Sequence, residues 1–252
     1  MKKELGIIGF GRFGKLIAQT LKPYFNITVY DPHDSLNKAE KLGVKDTRKI
    51  SEVALKPIVI LSVPVPELKQ VIKDISSFVK KGTTVIDVSS VKVIPTQLMK
   101  KYLPNGITII PTHPLFGPES VKAKGGLDDL RIVICGDENN KKIEDLIKFL
   151  KNTLKLKVLI KTPDEHDKEM AYVQGITHFF GRVVREMNFP DSDQSTLSYL
   201  KLQEGAVIVS NDTEELFMTI EKDNPYAQKV RKEFIKKMLE VDKKIEKYNN
   251  KK

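Results

Sequence analysis

Two short runs of residues carry chemistry in this chain. The first, Gly9-Phe10-Gly11-Arg12-Phe13-Gly14, follows the apolar stretch Leu5 to Ile8 and opens an amphipathic segment from Arg12 to Lys22. A strand, a Gly-x-Gly-x-x-Gly turn and a helix form the context in which a dinucleotide is bound. Gly9 serves the tight turn, Gly11 the close approach of a pyrophosphate, and Gly14 the close packing of helix on strand. The phosphates then meet free amides at the positive end of the helix. The second run, His113-Pro114-Leu115-Phe116-Gly117-Pro118, follows the β-rich stretch Ile107 to Ile110. An imidazole at a strand's carboxyl end faces the ligand crevice of a doubly wound sheet. The flanking prolines stiffen the loop and fix the ring's direction.

Two further segments belong to the same crevice. The second apolar run, Ile27 to Tyr30, ends in Asp31, 22 residues after Gly9, where a carboxylate binds both ribose hydroxyls. Its charge repels a 2′-phosphate and favours NAD over NADP, although His33 and Lys38 nearby soften that preference. The turn Ser62-Val63-Pro64 closes another strand and is expected under the nicotinamide half. The cofactor-binding candidates are thus Gly9, Phe10, Gly11, Arg12, Phe13, Gly14, Asp31, Ser62, Val63 and Pro64. Ser90, after the strand ending at Val88, is expected to open a helix, where a serine can cap as readily as it can bind a ligand.

The elements that position these residues alternate along residues 1–162. Apolar runs at Leu5–Ile8, Ile27–Tyr30, Ile58–Val63, Thr83–Val88, Ile107–Ile110, Arg131–Cys135 and Lys157–Ile160 are separated by amphipathic stretches. Continuous apolar strands alternating with helices predict an α/β fold, a Rossmann-type doubly wound, mostly parallel sheet covered on both faces. The pattern changes at Pro163. Residues 163–252 read as an all-α domain. One long helix is predicted from Asp164 to Met187, with Met170, Val173, Ile176, Phe180 and Val184 on one stripe. Further helices are expected over Ser195–Ser210 and Thr213–Lys222, with a short ambiguous run at Ala206–Val209. Pro225 opens a last helix whose apolar positions are Val230, Phe234, Met238, Val241 and Ile245. About 90 residues of helix make a weak core alone, so a homodimer through the C-terminal helices is expected.

Composition limits the alternatives. The formal net charge is +10, but the lysines are dispersed, thicken only from Lys243 to Lys252, and carry no interleaved aromatic residues. That pattern favours anionic small molecules over nucleic acid. No apolar run reaches the roughly 18 residues a bilayer span requires. Met-Lys-Lys-Glu leads straight into the first strand with no signal sequence, and the lone Cys135 sits in an apolar run. Both features predict a cytoplasmic protein with no membrane contact. No metal site is expected.

The motifs together resemble the prephenate/arogenate dehydrogenases of tyrosine biosynthesis. The matching residues are Gly9 to Gly14, Asp87-x-x-Ser90-Val91-Lys92, His113-Pro114-x-Phe116-Gly117-Pro118, Glu165-His166-Asp167, Gln174 and His178-Phe179, and the similarity runs to about Ala227. The resemblance implies NAD-dependent oxidative decarboxylation of a small anionic cyclohexadienyl substrate. It makes His113 the base for a C4 hydroxyl proton and Ser90 a hydroxyl that bonds both substrate and histidine. It puts His178 near the substrate, whereas His166 reads as a structural residue at the domain junction. The family's carboxylate-clamping arginine aligns with Lys201, which cannot form a bidentate fork. Arg182 and Arg185 are alternative clamps. Asp212 aligns with an acidic residue that favours arogenate, and is equally an N-cap for the following helix. Two other functions share this two-domain design: a β-hydroxyacid or imine dehydrogenase/reductase, and a non-catalytic NAD-binding protein. The first places a Gly-x-x-x-Lys turn on its second-domain helix, and here Lys168 and Gly175 stand in the opposite order.

Overall fold

The computed structural model describes residues 2–33, 36–137, 139–210 and 212–249. The chain divides into two compact units, Met1–His166 and Asp167–Lys252. In the first unit the apolar runs become strands β1 (Lys3–Ile8), β2 (Phe25–Tyr30), β3 (Lys45–Asp46), β4 (Ile58–Leu61), β5 (Thr84–Asp87), β6 (Thr108–Pro114), β7 (Arg131–Cys135) and β8 (Lys157–Lys161). They form one sheet in the order β3-β2-β1-β4-β5-β6-β7-β8. Every neighbouring pair is parallel except β6 and β7. The sheet is the doubly wound α/β architecture that the alternating pattern predicts. The two-residue β3 is too short to have left a periodic signal.

Alternate strand residues fill two cores, as the pleat requires. Leu5, Ile7, Val29, Ile60, Ile110 and Ile134 pack on one face with α1 (Arg12–Leu21) and α7 (Lys141–Asn152). Ile8, Val59, Leu61 and Val85 pack on the other with α4 (Val65–Ser76) and α5 (Val93–Tyr102). The remaining helices of this unit are α2 (Leu36–Leu42), α3 (Ile50–Ala54) and α6 (Pro118–Lys124). Burial on both faces explains why these strands read as unbroken apolar runs instead of alternating ones. Helix α5 begins at Val93, so Ser90 lies in the preceding loop and does not open the helix.

Among its described residues the second unit contains helices joined by loops and no strand. It continues α8 (Pro163–Met170), which begins in the first unit, with a π-helical turn at Ala171–Ile176 and then α9 (Thr177–Glu186). Next come α10 (Leu197–Ser210), α11 (Glu214–Met218), a second π turn at Thr219–Asp223, and α12 (Ala227–Asn249). The run Ala206–Val209 is thus helical. The first π turn corrects the predicted stripe. Its wider winding rotates Val173 out to 59% exposure, while Met170 and Val184 stay buried. The α12 stripe also divides, because Val230 is buried whereas Met238, Val241 and Ile245 are exposed.

Candidate active site

The glycine-rich turn is shaped by its neighbours. Gly9 has φ +93°, and a Cβ there would lie 2.2 Å from the Ser62 carbonyl oxygen. A Cβ on Gly14 would lie 2.1 Å from the Gly9 carbonyl oxygen, so α1 rests directly on the turn. At Gly11 a Cβ would meet nothing within 4 Å. The result is an open cradle, bounded by backbone at both ends, at the N-terminus of α1. Asp31 is bound to the same turn. Its Oδ2 accepts a hydrogen bond from the Phe10 amide at 2.6 Å, and its Oδ1 accepts one from the His33 amide at 2.8 Å. Each carboxylate oxygen keeps acceptor capacity for a ribose hydroxyl. The Lys38 side chain lies outside the described residues. This cradle fits a dinucleotide.

The segment that follows His113 meets the cradle. Arg12 pairs with Glu119 at 2.7 Å, and the rings of Phe13 and Phe116 are 6.4 Å apart. His113 itself lies near the end of β6 and is 3% exposed. Burial holds its imidazole well below the usual histidine range, and positive charge on the neighbouring His166 or Lys92 side chains pushes the same way. The ring is therefore neutral at pH 7. Among the described residues it makes one hydrogen bond, between its Nδ1 and Nε2 of His166 at 2.8 Å.

Two local devices bring these groups to His113. Thr162 and Glu165 form a capping box at the start of α8: the Thr162 amide donates to the Glu165 carboxylate at 2.8 Å, and the Glu165 amide donates to Thr162 Oγ1 at 3.2 Å. With Pro163 in the first turn, the cap fixes the helix start and so the place of His166. On the other side, Lys92 is fully buried and ion-paired to Asp87, which is 1% exposed. Lys92 Nζ also donates to the Thr112 carbonyl at 2.5 Å, and Thr112 Oγ1 donates to the Asp87 carbonyl at 2.7 Å. This cluster ties the end of β5 to the peptide just before His113. Ser89 is absorbed into it, donating to Asp87 from both its amide and its hydroxyl. The Ser90 hydroxyl makes no hydrogen bond to another described residue, His113 included.

The second unit holds a small pocket lined by His178, Gly181, Arg182, Arg185, Val209, Asp212 and Phe217. A Cβ on Gly181 would lie 2.2 Å from Val209 Cγ2, so its absence lets α9 and α10 close the pocket floor. His178 Nδ1 is 3.1 Å from Asp212 Oδ2. Arg182 pairs with Glu214 at 2.8 Å and lies over the Phe217 ring at 4.4 Å from its centre. Asp212 does not cap α11. That position belongs to Thr213, whose hydroxyl accepts from the Leu216 amide, and Asp212 is left to face His178. Its neighbour Asn211 lies outside the described residues. Lys201 is 68% exposed, pairs with Glu204 along its own helix, and is not part of this pocket. Of the candidate carboxylate clamps, the structure gathers Arg182, Arg185 and His178 and leaves Lys201 apart.

Residues 17–160 match the family model for the prephenate dehydrogenase nucleotide-binding domain. A probable arogenate/prephenate dehydrogenase of Methanocaldococcus jannaschii is 31% identical over 92% of the chain. The chain belongs to the prephenate dehydrogenase family. Arogenate dehydrogenase 1 of Arabidopsis thaliana, a chloroplastic protein, is 27% identical over 92% of the chain. The chain spans only part of the length of these curated relatives, 54% of the first and 37% of the second. Among solved structures, the prephenate dehydrogenase of Aquifex aeolicus in complex with hydroxyphenyl propionate and NAD+ superposes with a TM-score of 0.74 at 19% identity, covering 99% of this chain and 93% of that one. The fold is therefore that of a prephenate dehydrogenase.

Within this family fold, the sequence pointed to His113, the glycine turn and Asp31. The family resemblance gave Ser90 as the partner of His113, whereas the structure places His166 there. Lys92 and Asp87 stood inside a quoted motif with no role, and His166 read as structural. The one signal for Lys92 was a lysine between apolar Val91 and Val93, where burial demands a counter-charge.

Proposed function

We propose that this chain catalyses the NAD-dependent oxidative decarboxylation of prephenate or arogenate. The observation that carries the proposal is a buried, neutral imidazole, His113, near the end of β6, directly before the segment whose Phe116 and Glu119 meet a dinucleotide cradle. The turn Gly9 to Gly14 holds the pyrophosphate, Asp31 the ribose, and Ser62, Val63 and Pro64 flank the nicotinamide. NAD rather than NADP suits Asp31, whose carboxylate repels a 2′-phosphate. When bound, the cofactor supplies a hydride acceptor.

The chain's own residues handle the proton. His113 Nε2 takes the proton of the C4 hydroxyl as the hydride leaves C4 and a carbonyl forms there. Ser90 donates a hydrogen bond that orients the hydroxyl. The ring carboxylate then departs as CO2, and its bonding pair completes the aromatic ring. The developing phenolate oxygen recovers a proton, for which protonated His113 is the donor. Aromatisation drives the loss of CO2, so the protein need only orient the substrate and hold its carboxylates. His178, Arg182 and Arg185 supply cationic and donor groups for that purpose. Asp212 is the acidic partner that an arogenate ammonium would use. In this reading the first unit is the NAD-binding domain and the second the substrate and dimerisation domain. A homodimer is supported by exposed Leu239, Val241, Ile245 and Tyr248 on α12 and Leu197 on α10. No described helix is long and apolar enough to cross a membrane.

The test is direct. Protein is incubated with prephenate or with arogenate in the presence of NAD, and absorbance of the reduced nicotinamide is followed. Turnover with one or both is expected. No turnover with either overturns the proposal.

A further inference from the structure

We propose that His166 is a positioning residue that sets the tautomer of His113, keeping the proton on His113 Nδ1 and the lone pair on Nε2. The inference rests on the dehydrogenase reading for its role in turnover, but the arrangement itself can be measured without substrate.

The geometry is that of a hydrogen bond between two ring nitrogens. His113 Nδ1 and His166 Nε2 are 2.8 Å apart, the ring centres are 5.0 Å apart, and the planes cross at 71°. Such a bond needs one N–H and one lone pair. If His166 donates, His113 carries its proton on Nε2, and that nitrogen has no lone pair for a substrate hydroxyl. If His166 accepts, Nε2 of His113 is the basic atom. Only the second arrangement makes His113 a base at the nitrogen that its partner leaves free.

The same arrangement answers an energetic difficulty. His113 is 3% exposed, and a second positive charge there is disfavoured by the fully buried Lys92 ammonium and by any protonated form of His166, so His166 can help only as a neutral acceptor. A proton arriving on Nε2 therefore creates an imidazolium in a site that resists it. A lone pair on His166 Nε2 opposes that resistance. The Nδ1–H bond becomes charge-assisted, and hence stronger, at the moment the proton arrives. An interaction that strengthens along the reaction raises kcat and leaves ground-state binding largely unchanged. The capping box at Thr162 and Glu165 and the cluster at Lys92 hold the two rings from opposite sides, so the bond persists without a ligand.

The experiment uses the whole chain labelled with 15N-histidine. There are four histidines, His33, His113, His166 and His178, so each ring is assignable by single substitution. Long-range 1H–15N spectra at neutral pH are expected to find His113 protonated at Nδ1 and bare at Nε2. His166→Gln, whose side-chain carbonyl can replace the acceptor, is expected to keep that tautomer and most of the turnover. His166→Leu is expected to shift His113 toward the Nε2-protonated form and to lower kcat about a hundredfold with KM and NAD affinity nearly unchanged. A wild-type His113 protonated at Nε2 overturns the proposal. So does a His166→Leu protein in which the tautomer is unchanged. If His166→Leu does not fold, the wild-type and His166→Gln spectra decide alone. A wild-type protein with the expected tautomer but no turnover overturns the dehydrogenase reading instead.

Discussion

Replacing Lys92 with methionine isolates the most costly electrostatic element in the first unit. Methionine has nearly the length of lysine and no charge, so the packing survives and the ion pair does not. Asp87 is then left at 1% exposure with, among the described residues, Ser89 alone bonding its carboxylate. Breaking one side of a buried pair costs about 3–5 kcal/mol, because the remaining charge is stranded. For a chain of this size each kcal/mol moves the melting temperature by about 2–4 °C, so Lys92→Met should melt about 6–20 °C below the wild type. The double variant Lys92→Met/Asp87→Asn removes both charges and should regain most of that loss. Lys141→Met is the contrast: its partner Glu144 is 3.2 Å away, but the lysine is 71% exposed, and no measurable shift is expected. Thermal unfolding followed by circular dichroism reads all three. The loss also releases the Thr112 carbonyl from Lys92, so kcat should fall in the single variant at temperatures where it remains folded. A Lys92→Met protein that melts within about 2 °C of the wild type would refute the assignment of this pair as the anchor of the His113 strand.

Three further outcomes are expected. His113→Asn should lower turnover by orders of magnitude while NAD affinity, read by fluorescence titration, stays within about twofold; a large loss of NAD binding would mean that His113 holds the cofactor instead. Asp31→Asn removes the charge facing the ribose, and the ratio of kcat/KM for NAD over NADP should fall about 10–100-fold, the worth of a hydrogen bond to a charged group. The third concerns pH. His113 resists protonation when folded, but an unfolded histidine titrates near 6.5. The unfolded chain therefore binds the extra proton first. The contribution of His113 to stability is fully present above about pH 6.5 and is lost as pH falls toward its folded value, at up to about 1.4 kcal/mol per pH unit. Unfolding free energies from urea titrations, wild type minus His113→Phe, should show that slope, and a flat difference between pH 7 and 5 would count against the buried, neutral ring.

The sequence by itself determined the features that depend on near neighbours in the chain. Apolar runs of four to six residues separated by helical periods specify a parallel sheet, because strands covered on both faces cannot alternate. The glycine spacing specifies the cradle, because a Cβ at Gly9 or Gly14 would collide with backbone only residues away or one strand over. Asp31 follows from its place at the end of the adjacent strand. Local patterns also misled in identifiable places. A 3.6-residue period over Asp164–Met187 gives no warning of a π turn, so Val173 was expected inside and lies outside. Asp212 and Thr213 are both good caps, and only the packing of α9 beside α10 assigns Thr213 to the helix and Asp212 to His178.

What tertiary structure alone decided is the company that His113 keeps. His166 is 53 residues downstream, and Lys92, in the loop after β5, reaches the Thr112 carbonyl on the neighbouring β6. No periodicity connects such positions. Their meeting depends on the register of β5 against β6 and on where a capped helix begins, and a shift of one residue in either would turn the side chains to another face. Chemistry that resides in one loop is written in the order of residues; chemistry that needs a second side chain from a distant segment exists only once the sheet has closed around it.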